Sequence, residues 1–100
     1  MARCKITVLK RAFFQDIVDE YVGFENYKPC ECMTEGQVFY TGGEAGNEKP
    51  EGFCDEAWKA IHAYALVLTC GGTVFGQSRC VTCCNDGARP VVFLLEKSEE

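Results

Sequence analysis

The first third of the chain passes from an alternating pattern of apolar and polar residues to a helical one. Cys4, Ile6 and Val8 are separated by polar residues, and this period of two predicts a half-buried strand. Apolar residues then recur in steps of three and four up to Gly23, which predicts an amphipathic first helix. The apolar positions of that helix are Phe14, Ile17, Val18 and Tyr21. Residues 24–36 have a loop composition, and residues 37–41 predict a short second strand.

A second helix is predicted from Cys54 to Cys70. Asp55 and Glu56 lie in its first turn, where negative charge complements the positive end of the helix dipole. Its apolar stripe follows steps of three and four and consists of Cys54, Trp58, Ile61, Ala65 and Leu68. Gly71-Gly72 follows, and glycine is a common residue just beyond a helix end.

The last third of the chain predicts a β-hairpin. Its first strand covers residues 80–84, and Asn85-Asp86-Gly87 forms the turn, in which Gly87 is expected to take a positive φ. Asp86 and Arg89 are interpreted as turn residues rather than catalysts. The second strand, from Val91 to Leu95, has no polar position, so we expect it to be central in the sheet and covered on both faces.

The order of these elements, β-α-β-α-β-β, predicts a small α+β fold. We expect a mixed or antiparallel sheet of about four strands with two helices packed against it. The length of 100 residues predicts a single domain over residues 1–100. The glycine-rich residues 42–52 predict a mobile loop, and residues 98–100 are expected to fray.

Charge and the N-terminal segment restrict the partners and the compartment. The net charge of −5 and the lack of a basic stripe argue against nucleic-acid binding. Lysine and arginine interrupt the first eleven residues, so these predict neither a signal peptide nor a membrane span. We therefore expect a cytoplasmic protein with reduced thiols and no membrane partner. Because so small a core is marginally stable alone, self-association into a homo-oligomer is one way of stabilising it.

Eight cysteines are many for a chain with reduced thiols. They are Cys4, Cys30, Cys32, Cys54, Cys70, Cys80, Cys83 and Cys84. Those that are not packed in the core indicate metal binding or thiol chemistry. Cys4 has the parity of a core residue, and Cys70, at a helix end, is also interpreted as packing.

Two other features are weak indicators of chemistry. Cys80-Val81-Thr82-Cys83 has C-x-x-C spacing, but it lies on a predicted strand, where neither a redox motif nor a zinc ribbon forms. On such a strand Cys80 and Cys84 share one face and Cys83 lies on the other. His62 lies beside the helix stripe, and no sequence cue pairs it with a nucleophile, which argues against a Cys-His enzyme.

The remaining cysteines lie where chemistry is favoured. Cys30-Glu31-Cys32 follows Pro29 in a loop and offers two thiols to a soft metal, although two thiolates do not complete a tetrahedral site. Cys54 begins a helix, where free N–H groups and the dipole stabilise a thiolate, and nearby carboxylates oppose this effect. The alternative is that Cys54 is a buried member of the apolar stripe and that the two loop thiols have no role.

Two longer motifs resemble those of a known group. They are residues 50–58, with the sequence PEGFCDEAW, and residues 83–93, with the sequence CCNDGARPVVF. Through them the chain resembles a family of small, uncharacterised, cysteine-containing proteins of anaerobic bacteria and archaea. The resemblance implies that Cys30, Cys54 and Cys84 belong to the family pattern. Additions relative to that pattern are Cys4, Cys70 and Cys80. It implies no established activity, but an anaerobic setting favours iron–sulfur chemistry.

Three hypotheses follow for the function. The first is a thiolate site for an iron–sulfur cluster or zinc, with Cys30, Cys32, Cys54 and Cys84 as ligands that converge from two loops, a helix start and a strand end. The second is a thiol redox or small-molecule enzyme that uses Cys54, with Cys30 or Cys84 as the resolving thiol. The third is a structural or oligomerising module in which every cysteine is passive.

Overall fold

The computed structural model describes residues 2–99, and Met1 and Glu100 lie outside the described residues. The strands are β1 (Arg3–Arg11), β2 (Val38–Tyr40), β3 (Arg79–Cys83) and β4 (Val91–Ser98), and the helices are α1 (Gln15–Tyr21) and α2 (Asp55–Thr69). All strand pairs are antiparallel, and their order across the sheet is β2-β1-β4-β3. The α+β class is therefore confirmed, with the antiparallel form of the sheet.

Strand β4 is central, as its apolar sequence predicts. It pairs with β1 on one side and with β3 on the other. The expected cover on both faces is wrong, because Phe93 and Leu95 are fully buried while Val92 and Leu94 are half-buried. Val92 and Leu94 point to the face of the sheet opposite the core. Apolar side chains are useful there because they pack against residues of the neighbouring strands: Leu94 is opposite Thr7 in β1 and Val81 in β3.

Helix α2 packs on the face of the sheet that carries Phe93 and Leu95, and it closes the core. Of its predicted stripe, Ile61, Ala65 and Leu68 are buried, while Cys54 and Trp58 are half-buried. Ala57, which is not part of the predicted stripe, is buried as well. These buried residues pack with Cys4, Ile6, Val8, Cys80, Val91, Phe93 and Leu95 from the sheet.

The interpretation of Cys4 as a core residue is confirmed, and its burial raises the pKa of its thiol to about 11. The interpretation of Cys70 as a packing residue is wrong, because Cys70 is exposed at the end of α2.

Helix α1 lies past the end of β1, beside the β3–β4 connection. Just before it, the N–H groups of Ala12 and Phe14 donate to the carbonyls of Pro90 (2.8 Å) and Ala88 (2.9 Å). Of its predicted apolar stripe, Val18 is buried. The other members, Phe14, Ile17 and Tyr21, are exposed. No helix within residues 2–99 has the length and the apolar composition needed to cross a bilayer.

The β3–β4 connection departs from its prediction at Gly87. This residue does not take a positive φ, and a Cβ built on it would meet no atom within 4 Å. The expectation of a left-handed glycine is wrong because the Asp86 carboxylate closes the turn, accepting hydrogen bonds from the N–H groups of Ala88 (3.1 Å) and Arg89 (3.2 Å).

Two predictions about mobility stay predictions. Within residues 42–52, Gly42 and Glu48 form an isolated β-bridge, and Gly46 is buried. At the C-terminus, Ser98 is the last residue of β4 and pairs with Arg3, whereas Glu100 lies outside the described residues.

Candidate thiol site

All four cysteines proposed as ligands line one cavity of about 360 Å³, which we call the thiol cavity. They are Cys30, Cys32, Cys54 and Cys84, and the other lining residues are Glu56, Asn85, Asp86 and Arg89. The cavity lies between the loop before β2, the start of α2 and the β3–β4 connection. These segments are distant in sequence, so the fold brings the four thiols together.

Cys54 is the N-cap residue of α2. Its backbone is extended, and its carbonyl accepts the hydrogen bond from the Trp58 N–H group (2.9 Å) that starts the helix. This position puts Cys54 at the end of the helix where unpaired N–H groups favour a negative charge. Hydrogen bonds from Lys49 to Asp55 and from Lys59 to Glu56 lower the pKa of each carboxyl, so both carboxylates have a compensating cation.

Cys30 and Cys32 occupy the loop that forms the opposite wall. Cys30 is half-buried at the edge of the core, and its carbonyl accepts a hydrogen bond from the Arg11 guanidinium (2.8 Å). Cys32 is exposed. The pKa of Cys32 is raised, first by negative charge on Cys30 and a hydrogen bond with that thiol, and then by burial and charge on Cys54, while Arg89 acts in the opposite direction. Three of the thiols therefore influence one another electrostatically.

Cys84 follows the last residue of β3 and is half-buried. Its N–H group donates to the Val91 carbonyl (3.0 Å), and its Sγ accepts a hydrogen bond from the Val91 N–H group (3.3 Å). Cys80 is buried in the core and Cys83 is exposed, which confirms the predicted opposite faces of these two residues. Neither of them lines the cavity.

An ionic and aromatic network holds the two sides of the cavity together. Arg89 donates from Nε to Asp86 (2.9 Å) and from a terminal nitrogen to the Lys28 carbonyl (3.1 Å). Its guanidinium also lies 4.4 Å from the ring centre of Tyr27. Asn85 donates to the Glu56 carbonyl (3.1 Å), which joins the same connection to α2. The turn after Cys84 is thus fastened to the loop that carries Cys30 and to the helix that follows Cys54.

Sequence reasoning gave Asp86 and Arg89 a turn role, which the hydrogen bonds confirm, but missed their place in the cavity wall. It also missed Glu56 and Asn85. Nearness in the sequence could have indicated all four residues, because each lies within five positions of Cys54 or Cys84.

The ligand role of the cavity cysteines stays a prediction. Among residues 2–99, no three histidine, cysteine, aspartate or glutamate side chains are grouped so that they could hold a metal ion. All eight cysteines fall in that part of the chain, and each is a free thiol. His62 is exposed and stacks near Trp58 rather than near a thiol, with ring centres 5.9 Å apart.

The coupling between Cys30 and Cys32 can be measured by alkylation. Because Cys30 raises the pKa of Cys32, the rate of Cys32 alkylation should rise with pH at a midpoint above that of an ordinary thiol. Cys30→Ser removes the neighbouring charge, so this midpoint should move to lower pH. Site-resolved mass spectrometry after alkylation across a pH series gives the midpoint.

The control for this experiment is Cys70→Ser, which removes an exposed thiol that does not line the cavity. It should leave the Cys32 midpoint unchanged. A midpoint that is the same with and without the Cys30 thiol would contradict the coupling.

Comparison with known proteins gave no match for this chain. No family model matches it, and neither a curated protein nor a solved structure is significantly similar to it.

Proposed function

We propose that this protein binds a thiolate-ligated metal centre, either an iron–sulfur cluster or zinc, through the four cysteines of the thiol cavity. The observation that carries the proposal is the convergence of four thiols from three separate segments on one cavity. Thiolates are soft ligands that select zinc, cuprous copper and iron–sulfur centres.

The charges around the cavity support a cationic occupant. Lys59 and Arg89 pair with the wall carboxylates of Glu56 and Asp86, so the negative charge that a cation would meet comes from ionised cysteines. The raised pKa of Cys32 reflects the repulsion between these thiols. A bound cation would relieve the repulsion, which stabilises the deprotonated thiols.

Binding would also require the thiols to move closer together. Cys32 is exposed and is not part of the core, so its side chain can shift without disturbing the core. Cys84 and Cys54 are held at the ends of β3 and α2, so the loop with Cys30 and Cys32 is the part that would adjust.

Metal analysis of protein purified without oxygen tests the proposal. We expect a stoichiometric soft metal that is lost in Cys54→Ser and retained in Cys70→Ser, two substitutions at opposite ends of α2. Bound metal should decrease at acid pH, because protons compete for the thiolates and the Cys32 thiol keeps its proton to higher pH than usual.

Protein that contains no metal after anaerobic purification, and takes up none when zinc or ferrous iron with sulfide is supplied, would contradict the proposal. So would metal that is retained equally by Cys54→Ser and Cys70→Ser.

A second candidate is a thiol redox site that uses Cys54. It is favoured by the position of Cys54 at the start of α2 and by the other thiols that line the same cavity. In that case Cys30 or Cys84 would be the resolving thiol. Alkylation at neutral pH should then modify Cys54 faster than Cys4, whose burial raises its thiol pKa to about 11, and faster than the exposed Cys70.

We also propose that the protein works in a reducing environment. A cytoplasmic location and membership of the anaerobe family indicated by residues 50–58 and 83–93 would both keep the thiols reduced and available to a metal. Fractionation of the native cells, followed by thiol counting on freshly alkylated protein, tests this setting. Four complete disulfides would contradict it.

A further inference from the structure

We infer that the thiol cavity takes a polynuclear iron–sulfur cluster rather than a single zinc ion, an inference that rests on the proposed thiolate function. The first argument is the size of the cavity, about 360 Å³. One water molecule occupies about 30 Å³ in the liquid, and pockets for small molecules begin at about 300 Å³. A tetrahedral zinc ion needs no such space, because its four sulfurs contact it at about 2.3 Å.

The second argument is the distribution of the thiols around the cavity. Cys30 and Cys32 lie on the loop wall, Cys54 at the start of α2 and Cys84 at the end of β3. In an iron–sulfur cluster, the cysteines are divided among two or more iron atoms and therefore surround a volume. In a zinc site, all four sulfurs contact a single ion. Thiols spread over three walls match the first arrangement.

The third argument is the presence of N–H donors beside the sulfurs. The Val91 N–H group donates to Cys84 Sγ at 3.3 Å. Cys54 is an N-cap without a side-chain capping bond, so the first turn of α2 has N–H groups to offer at the same wall. Hydrogen bonds to the sulfurs are one of the means by which a protein tunes an iron–sulfur cluster.

The wall residues around the thiols add little net charge of their own, so the ionised thiols are the groups that would hold the cluster. Asp86 and Glu56 are each paired with a cation, Arg89 and Lys59 respectively. Arg89 lines the cavity together with Cys30 and Cys32, so a positive group lies beside the loop thiols. The fastening of Arg89 to Lys28 and Tyr27 holds this group in place.

The test is reconstitution of the full-length chain without oxygen, in two arms. One arm supplies ferrous iron and sulfide, and the other supplies zinc, or cobalt as its spectroscopic substitute. After removal of free ions, iron, acid-labile sulfide and zinc are counted per chain. We expect iron and sulfide to be retained in equal amounts, with retention lost in Cys54→Ser and in Cys84→Ser.

Cys83→Ser is the matched control, because it lies next to Cys84 but on the opposite face of the sheet. It should retain iron and sulfide like the unmodified chain. Far-ultraviolet circular dichroism of every variant shows that loss of the cluster is not loss of the fold.

The outcomes separate this inference from the proposed function. Retained sulfide that depends on the cavity cysteines supports the inference, whether or not zinc also binds. One zinc or cobalt ion per chain held by the same cysteines, without retained sulfide, overturns the inference and leaves the proposed function standing. Chains that retain neither overturn both.

Discussion

Replacing Phe93 with alanine is expected to lower the free energy of unfolding by about 3–5 kcal/mol, the usual cost of removing a buried phenylalanine side chain. Phe93 is fully buried on the central strand β4. Its ring centre lies 5.5 Å from that of Phe53, which in turn packs edge-on against Phe39 at 5.0 Å. The substitution would leave a cavity between α2 and the sheet. The loss is large because the total stability of a native protein is only about 5–15 kcal/mol.

Leu94→Ala is the matched control on the same strand. Leu94 lies on the other face and is half-buried, so its truncation should cost clearly less. Chemical denaturation followed by circular dichroism gives both values. Equal losses for the two substitutions would contradict the assignment of the core to the α2 face of the sheet.

The elements that the sequence predicts best are those with a long and regular apolar pattern. The stripe of α2 runs over fifteen residues, and its bounds agree within one residue at each end, with Cys54 and Cys70 as the caps. The alternation of Cys4, Ile6 and Val8 likewise gives the buried face of β1. In both cases local periodicity and tertiary burial agree, so a local signal is sufficient.

Two apolar patterns are misleading because burial depends on what lies opposite a residue. The stripe of α1 has the same spacing as that of α2, yet Ile17 and Tyr21 are exposed because this helix lies past the end of β1. The uniform run in β4 suggests cover on both faces, whereas Val92 and Leu94 are half-buried and lie opposite residues of the neighbouring strands. The spacing of apolar residues within α1 or β4 does not show where that element lies relative to the rest of the fold.

The thiol site is predictable in its cysteines but not in its supporting residues. Cys30, Cys54 and Cys84 are indicated by their places in a loop, at a helix start and at a strand end. The contacts of Arg89 with Lys28 and Tyr27 join residues about sixty positions apart, which no short motif encodes. Such contacts depend on the sheet, which places the hairpin beside the loop.

Replacing Gly46 with alanine is expected to lower the free energy of unfolding by about 2–5 kcal/mol, combining left-handed strain with overpacking. Gly46 is buried with φ at +65°, a region that alanine rarely adopts. A Cβ there would lie 2.7 Å from Thr69 Cγ2 and 2.8 Å from both the Ala2 carbonyl oxygen and Arg3 Cα. Two of these neighbours are backbone atoms of the N-terminal segment, so relief would require β1 and the 42–52 loop to separate.

Gly87→Ala is the control, because it shows whether Gly46 or Gly87 is the position at which an added Cβ destabilises the fold. The turn sequence Asn85-Asp86-Gly87 suggests that Gly87 is the sensitive position, but its φ is not positive and an added Cβ meets no atom within 4 Å. Its substitution should therefore change the stability by no more than about 0.5 kcal/mol. Denaturation midpoints of the two variants, measured side by side, decide the matter. A larger loss at Gly87 than at Gly46 would mean that the 42–52 loop does not pack against Thr69 and the start of β1 as described.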